Sequence, residues 1–181
     1  GLSANTNMAL RIKDTHDYTY ISNSDAHSLA NIGREFTIYN VSAVNFKEWS
    51  KALKHGGQGV IATHGMDPLL GKYYRSYCNN CKVLAKEAVP TFACPNCGRP
   101  MVYGVWDRIC EIMDWNHSLE RPPYRSHVPL RMLPGVGPAS YGRLIDNLGT
   151  EIDIMYNVSL DTISNVAGPH IALQIMALRQ G

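Results

Sequence analysis

Apolar positions along the chain change their period from region to region, and each change predicts a different kind of structure. Tyr18-Thr19-Tyr20-Ile21 is a β-branched and aromatic run behind a polar stretch, which predicts a short strand; Glu35 to Val41 predicts another. Between them Ser22-Asn23-Ser24-Asp25-Ala26-His27-Ser28 reads as a polar loop. Phe46, Trp49 and Leu53 recur at helical spacing behind an Asn45 cap, with Glu48 three residues after it, until Gly56-Gly57 stops the run. From about Thr63 to Tyr103 helical periodicity is lost. Val105, Ile109, Ile112 and Met113 then fall on one helical face, with Cys110 as an expected core thiol. Arg121-Pro122-Pro123-Tyr124 must be extended or turning, because a residue before proline avoids the α region. From about Val128 onward the pattern is short helices separated by glycine turns.

These patterns predict a mixed α+β, multidomain chain. Its expected parts are an α/β region over residues 1–62, a module over 63–103 and a helical domain over 128–181. A connecting helix and extended segment over 104–127 would join the last two. Composition changes this picture little: 181 residues, 45% hydrophobic and 18% charged, are ordinary for a soluble protein. No apolar run approaches the roughly 20 residues of a membrane span. The first residues, Gly1 to Asn5, lack the pattern of a signal peptide, so a cytoplasmic protein is expected. The net charge of +2 does not by itself point to nucleic acid. Its distribution is more telling: Arg121, Arg125, Arg131 and Arg143 lie in a stretch without acids, before Asp146, Glu151 and Asp153. That stretch reads either as a phosphate-tracking surface or as a solvated face.

Cys78-x-x-Cys81 and Cys94-x-x-Cys97 carry the clearest chemistry. Each pair lets two thiolates converge on one ion from a tight turn, and the 12 residues between the pairs suffice for a short hairpin. Four thiolates close a tetrahedral shell, which predicts one structural zinc per chain rather than a catalytic one. Disulfides or four buried thiols would explain neither spacing. His117 and His127 could enter a metal site, although lone histidines at such positions are usually surface or satisfied residues. The module has few large apolar residues, so the metal should supply its folding energy.

Leu133-Pro134-Gly135-Val136-Gly137-Pro138-Ala139 precedes Tyr141, Leu144, Ile145 and Leu148 at helical spacing. The pattern resembles the helix-hairpin-helix motif of DNA repair proteins. Gly135 and Gly137 permit close approach, and the amides around Val136 and Gly137 stand at a helix N-terminus, where a phosphate oxygen is favoured. Arg131 and Arg143 would add charge on either side. A plain turn between two helices is the other reading. A second copy follows around Gly168-Pro169-His170, without the G-x-G, and is expected to serve packing.

Asp25-Ala26-His27 can offer a carboxylate and an imidazole to one metal, of the kind that suits zinc, manganese or iron in hydrolases. By itself D-x-H is equally a loop-capping network. The longer string Ser22 to Ser28, with Gly33-Arg34-Glu35 downstream, resembles the last metal-binding motif of the PHP (polymerase and histidinol phosphatase) phosphoesterases. The order of Gly1-Leu2-Ser3, Ser22 to Ser28, Cys78 to Cys97, Arg121 to Leu130 and Leu133 to Ala139 is similar to the endonuclease Q family over nearly the whole chain.

That resemblance implies a partial PHP-type α/β barrel remnant, a four-cysteine zinc ribbon and a small helix-hairpin-helix domain. It implies an activity for the full-length family, cleavage of DNA 5′ of deaminated bases or at abasic sites by a metal cluster. It also implies Asp25 and His27 as metal ligands. An H-x-H and further His and Glu ligands are absent from this sequence, and His16 and His64 are isolated. The chain is therefore expected to be the DNA-binding C-terminal portion of a longer enzyme, inactive alone, that holds DNA mainly by its phosphates. Its first region would repack, self-associate or meet a missing N-terminal PHP portion. The alternative is a non-catalytic zinc-ribbon and hairpin module that binds nucleic acid or docks a protein.

Overall fold

In chain order the elements are α1 (Thr6–Ala9), β1 (Phe36–Tyr39), α2 (Phe46–Lys54), β2 (Val60–Met66), β3 (Tyr77–Cys78) and β4 (Val83–Leu84). They continue with α3 (Val105–Ile112), β5 (Tyr124–His127), α4 (Pro138–Leu148), α5 (Glu151–Tyr156), α6 (Leu160–Ala167) and α7 (Pro169–Gln180). This computed structural model describes residues 4–54, 59–86 and 92–180, so Gly1-Leu2-Ser3 and the expected stop at Gly56-Gly57 lie outside the described residues. The chain divides into two units, residues 1–126 and 127–181. No helix among the described residues is long and apolar enough to cross a membrane.

A three-stranded sheet in the order β1-β2-β5 organises the first unit. β1 and β2 are antiparallel, with Phe36 opposite His64 and Thr37 opposite Thr63, and the register shifts between Ile38 and Tyr39. Every residue of β2 except Ile61 is buried, as a central strand requires. β2 runs unbroken through Ala62 and Thr63, the point at which a domain boundary is expected from the sequence. Gly65 allows this crowding: a Cβ there would come within 2.2 Å of the Tyr124 hydroxyl.

The strand expected at Tyr18–Ile21 does not form. Its polar groups are engaged elsewhere: Thr19 Oγ1 donates to the Leu53 carbonyl at 2.7 Å, and the Tyr20 and Thr15 hydroxyls stand 2.8 Å apart. At its end Ser22 N–H donates to Thr37 Oγ1 at 2.8 Å, and that hydroxyl donates back to the Ser22 carbonyl at 3.1 Å. A side chain of β1 thus stands where a ladder partner would be. The Asn45 cap forms, its side chain accepting from Glu48 N–H at 3.0 Å. The Glu48 carboxylate turns to Ser42 and Lys51 instead of back to the cap.

α3 corrects a second expectation. Its buried residue is Asp107, while Ile112 and Met113 are exposed. The Asp107 carboxylate accepts from Arg75 Nε at 2.9 Å and from Ser76 N–H at 2.5 Å, and Ser76 Oγ accepts from Gly104 N–H at 3.0 Å. The first amides of α3 are satisfied by the backbone, Val105 N–H donating to Tyr73 O and Trp106 N–H to Tyr74 O. Cys110 is half-buried.

The second unit is helical. Leu130, Leu133, Val136, Leu144, Ile154, Met155, Ile163, Ile171, Ala172 and Ile175 form its core. Thr150 and Ser159 cap α5 and α6 through their hydroxyls. Arg179, near the end of α7, donates to the carbonyls of Met155, Ile154 and Val158 at 2.6–2.8 Å, closing the C-terminus of α5.

Candidate metal centre and nucleic-acid interface

Cys78 ends β3, and the chain turns through Asn79 and Asn80 so that Cys81 faces back toward it. Lys82 N–H donates to Cys78 O at 2.9 Å, and in the second turn Gly98 N–H donates to Cys94 O at 2.8 Å. The two turns are near copies. Each places a left-handed residue directly after its second cysteine, Lys82 at φ 57° and Gly98 at φ 67°. Glycine adopts that conformation freely, whereas lysine is strained in it. Backbone bonds between Tyr77 and Val102 and from Met101 N–H to Phe92 O bring the turns together.

The four sulfurs lie within 4.8 Å of one another, and Cys78 Sγ and Cys97 Sγ are 3.7 Å apart. Four thiolates at about 2.3 Å from a zinc ion would be separated by about 3.8 Å, so the donor set fits a tetrahedral ion. Cys81 N–H donates to Cys78 Sγ at 3.4 Å. The Arg99 backbone N–H, aided by the Cys81 thiol, holds Cys97 down to about 7. The Cys97 sulfur in turn pushes Cys81 up to about 12. Without an ion Cys97 charges before Cys81, and a bound cation removes the repulsion between them.

The Leu133–Ala139 turn shows a different economy. Gly135 is left-handed at φ 86°, and Gly137, at φ −79°, precedes Pro138 at the first position of α4. α4 has no side-chain cap, and a Cβ on Gly137 would meet no atom within 4 Å. The helix start is therefore open from outside. The Val136 side chain is buried, so only its backbone is available there. Arg131 lies 4.2 Å from the centre of the Tyr141 ring, and the Tyr141 hydroxyl donates to Glu151 at 3.3 Å. Burial and the Glu151 carboxylate raise the Tyr141 hydroxyl. Arg143 is exposed beside Ser140. Gln174 of α7 donates to the Pro134 carbonyl at 3.0 Å, tying this turn to α7.

Asp25 and His27 are exposed, and Asp25 takes a left-handed φ of 44°. His27 Nδ1 is 2.9 Å from the Asp25 carbonyl, which can only accept. Nδ1 is therefore the donor in this contact, which leaves Nε2 as the ring nitrogen available for a metal. Among the described residues no third ligating side chain joins this pair, and the cysteines form the one cluster of metal-ligating groups.

Comparison with known proteins follows the same outline. No protein-family profile matches the sequence. PfuEndoQ, a lesion-specific endonuclease from Pyrococcus furiosus, superimposes at a TM-score of 0.80 with 34% identity. The match covers 99% of this chain and 49% of that one. An endonuclease Q bound to a 27-mer duplex substrate with an abasic lesion at the active site gives the same score at 33% identity, over 50% of its length. Two uncharacterized proteins also match over the whole chain. They are YqxK of Bacillus subtilis, 38% identical, and MJ0043 of Methanocaldococcus jannaschii, 34% identical. The chain spans 47% and 26% of their lengths. In sequence and fold it is thus related to about half of a lesion-specific endonuclease.

Several residues around these sites carry no local signal. The Asp107–Arg75–Ser76 lock beneath the cysteine module joins positions 31 and 32 residues apart. Lys82 is disguised because the first turn lacks the glycine that marks the second. Its only clue is position, the residue directly after Cys81 as Gly98 is after Cys97.

Proposed function

We propose that this chain is the DNA-binding, C-terminal portion of a metal-dependent repair endonuclease of the endonuclease Q kind, inactive by itself. The observation that carries this reading is the likeness of 99% of the chain to half of an enzyme held on a lesion-bearing duplex. Cys78, Cys81, Cys94 and Cys97 hold one structural zinc and close a zinc ribbon within residues 63–103, after β2 has ended. Residues 128–181 act as a helix-hairpin-helix domain. The open start of α4, the backbone around Gly135 to Gly137, and Arg131 and Arg143 grip phosphate, which makes binding sequence-indifferent and salt-steep.

Residues 1–62 are part of a PHP-like α/β domain, and Asp25 and His27 are two ligands of a zinc, manganese or iron site completed by a further polypeptide segment. Leu29, Ile32, Val44 and Phe46 are strongly exposed, which supports a missing cover, either that segment or a second copy. Elemental analysis and a salt titration on duplexes with and without a deoxyuridine or abasic site test the whole reading. One zinc per chain, steep salt dependence and no nick are expected. No binding to any duplex, or a nick beside the lesion, would overturn its DNA-binding or its inactive half respectively.

A second reading is a non-catalytic zinc-ribbon and hairpin module for nucleic acid or protein docking. The lack of a third ligand near Asp25 and His27 among the described residues favours it. Restoring cleavage by adding the other half of a relative separates the two.

A further inference from the structure

A cavity of about 260 Å³ in the first unit lies between the α1 region, the chain after β2 and α3. Asn5, Met8 and Arg11 line it, with Asp67, Tyr74 and Trp106. The volume is just below the roughly 300–1,000 Å³ of sites for drug-sized ligands, so its guest is a smaller molecule.

The wall carries one charge of each sign, and the two do not neutralise each other. Among the described residues neither Arg11 nor Asp67 takes part in an ion pair. Asp67 Oδ1 accepts from Leu69 N–H at 2.9 Å. That bond fixes the carboxylate as the cap of the 3-10 turn Pro68–Leu70 and leaves its second oxygen for a guest. Arg11 Nη1 reaches Asn116 Oδ1 only at 3.5 Å, and its other guanidinium donors are unused. The Asn5 side-chain oxygen is already taken by Met8 N–H at 3.0 Å.

Tyr74 and Trp106 supply the apolar side. Their ring planes are 10° apart and their centroids 6.4 Å apart, which makes one broad aromatic wall. Trp106 N–H donates to Tyr74 O at 3.0 Å, so backbone as well as stacking holds the wall in place. Burial raises the Tyr74 hydroxyl and the Asp67 carboxylate adds to the rise, as expected of a negative charge beside that ring.

We propose that this cavity binds a small zwitterion, an α-amino acid with an aromatic or large apolar side chain. Its ammonium would meet Asp67, its carboxylate Arg11, and its side chain the rings of Tyr74 and Trp106. A guest with one charge would satisfy one of the two groups and be repelled by the other. A neutral guest would take water from both and repay neither. Tyr74 lies just before Cys78, and Trp106 stands next to Asp107. The guest thus ties α1 to the segments that lead into and out of the cysteine module.

The test titrates the isotope-labelled, zinc-loaded chain with L-phenylalanine, L-phenylalaninamide and N-acetyl-L-phenylalanine. The second probe lacks the carboxylate and the third lacks the ammonium, while all three keep the ring. L-Phenylalanine should shift the amides of Met8, Leu69 and Trp106 and saturate. Each derivative should bind about tenfold more weakly or worse, the loss of one charge-assisted hydrogen bond. Arg11→Gln should weaken L-phenylalanine about tenfold and make it bind no better than its amide. Asp67→Asn keeps the oxygen that caps Leu69 and should erase the preference over the acetyl derivative. Zinc content and Tm equal to the parent's show that a variant is folded, and the three probes on the parent decide the matter without it. The inference is overturned if no probe moves these amides, if all three bind alike, or if folded Arg11→Gln still prefers the free carboxylate. The site does not rest on the DNA-binding reading, which the salt titration tests with no amino acid present, so either can fail alone.

Discussion

The cysteine module and the helical unit are stabilised by different chemistry. Around the cysteines the buried cluster is Cys78, Ala85, Cys94 and Met101, with Cys81, Val83 and Cys97 packed against it. More than half of those side chains are thiols. In the helical unit the corresponding cluster is almost wholly aliphatic, with Leu130, Leu144, Ile154, Ile163 and Ile175 fully buried. A sulfur-lined core has little apolar area to remove from water, so its stability depends on an ion. An aliphatic core depends on area and packing. One chain thus contains two units whose failures should be independent.

Chelation tests that independence most directly. Stripping the metal should unfold residues 73–103, a loss on the order of 10 kcal/mol, while the helices remain. Hydrogen exchange would show protection lost at Tyr77 and Met101 and kept at Leu144 and Ile175. Loss of both together would mean that the units share one cooperative fold. The converse is Leu144→Ala, which should cost roughly 3–4 kcal/mol in the helical unit through the cavity it leaves, and should leave the zinc content unchanged.

Asp107→Ala is the next change in size. It removes one partner of Arg75, leaves the buried Ser76 amide unpaired, and should lower the stability of the module by about 2–3 kcal/mol, read as faster metal loss to a fixed chelator. Arg179→Ala removes three charge-assisted bonds around the end of α5 and should lower the stability of the helical unit alone by about 2 kcal/mol, read as a lower Tm. The smallest effect is a gain. Lys82→Gly relieves about 1–2 kcal/mol of left-handed strain. It loses about 0.5–1 kcal/mol to the freer unfolded chain. The net gain, about 0.5 kcal/mol, should appear as slower metal release.

How far these differences could be read from the sequence depends on distance along it. The cysteine turns are legible because each is complete within five residues, and the α4 face repeats at a fixed period. Asp107 is not, because its burial depends on partners in another element; alone it looks like a surface charge on an apolar helix. Tyr18–Ile21 has the composition of a strand, but Thr37 and Leu53 engage its end and its side chains and no ladder forms. β2 is hidden for the opposite reason: Gly65 interrupts its apolar run, and the Tyr124 side chain lying over Gly65 explains the interruption. Val136 has the spacing of a contact residue, yet the core claims its side chain.

The near-duplicate turns at the metal centre are unequal in depth. The first cysteine of each, Cys78 or Cys94, is buried, and the second, Cys81 or Cys97, is partly exposed. An oxidant arriving from solvent therefore meets an outer pair of sulfurs while the inner pair stays shielded. Bridging Cys97 to Cys81 would take half of the ligands from the ion at once. The centre that holds this part of the chain together is also where oxidative stress would release it.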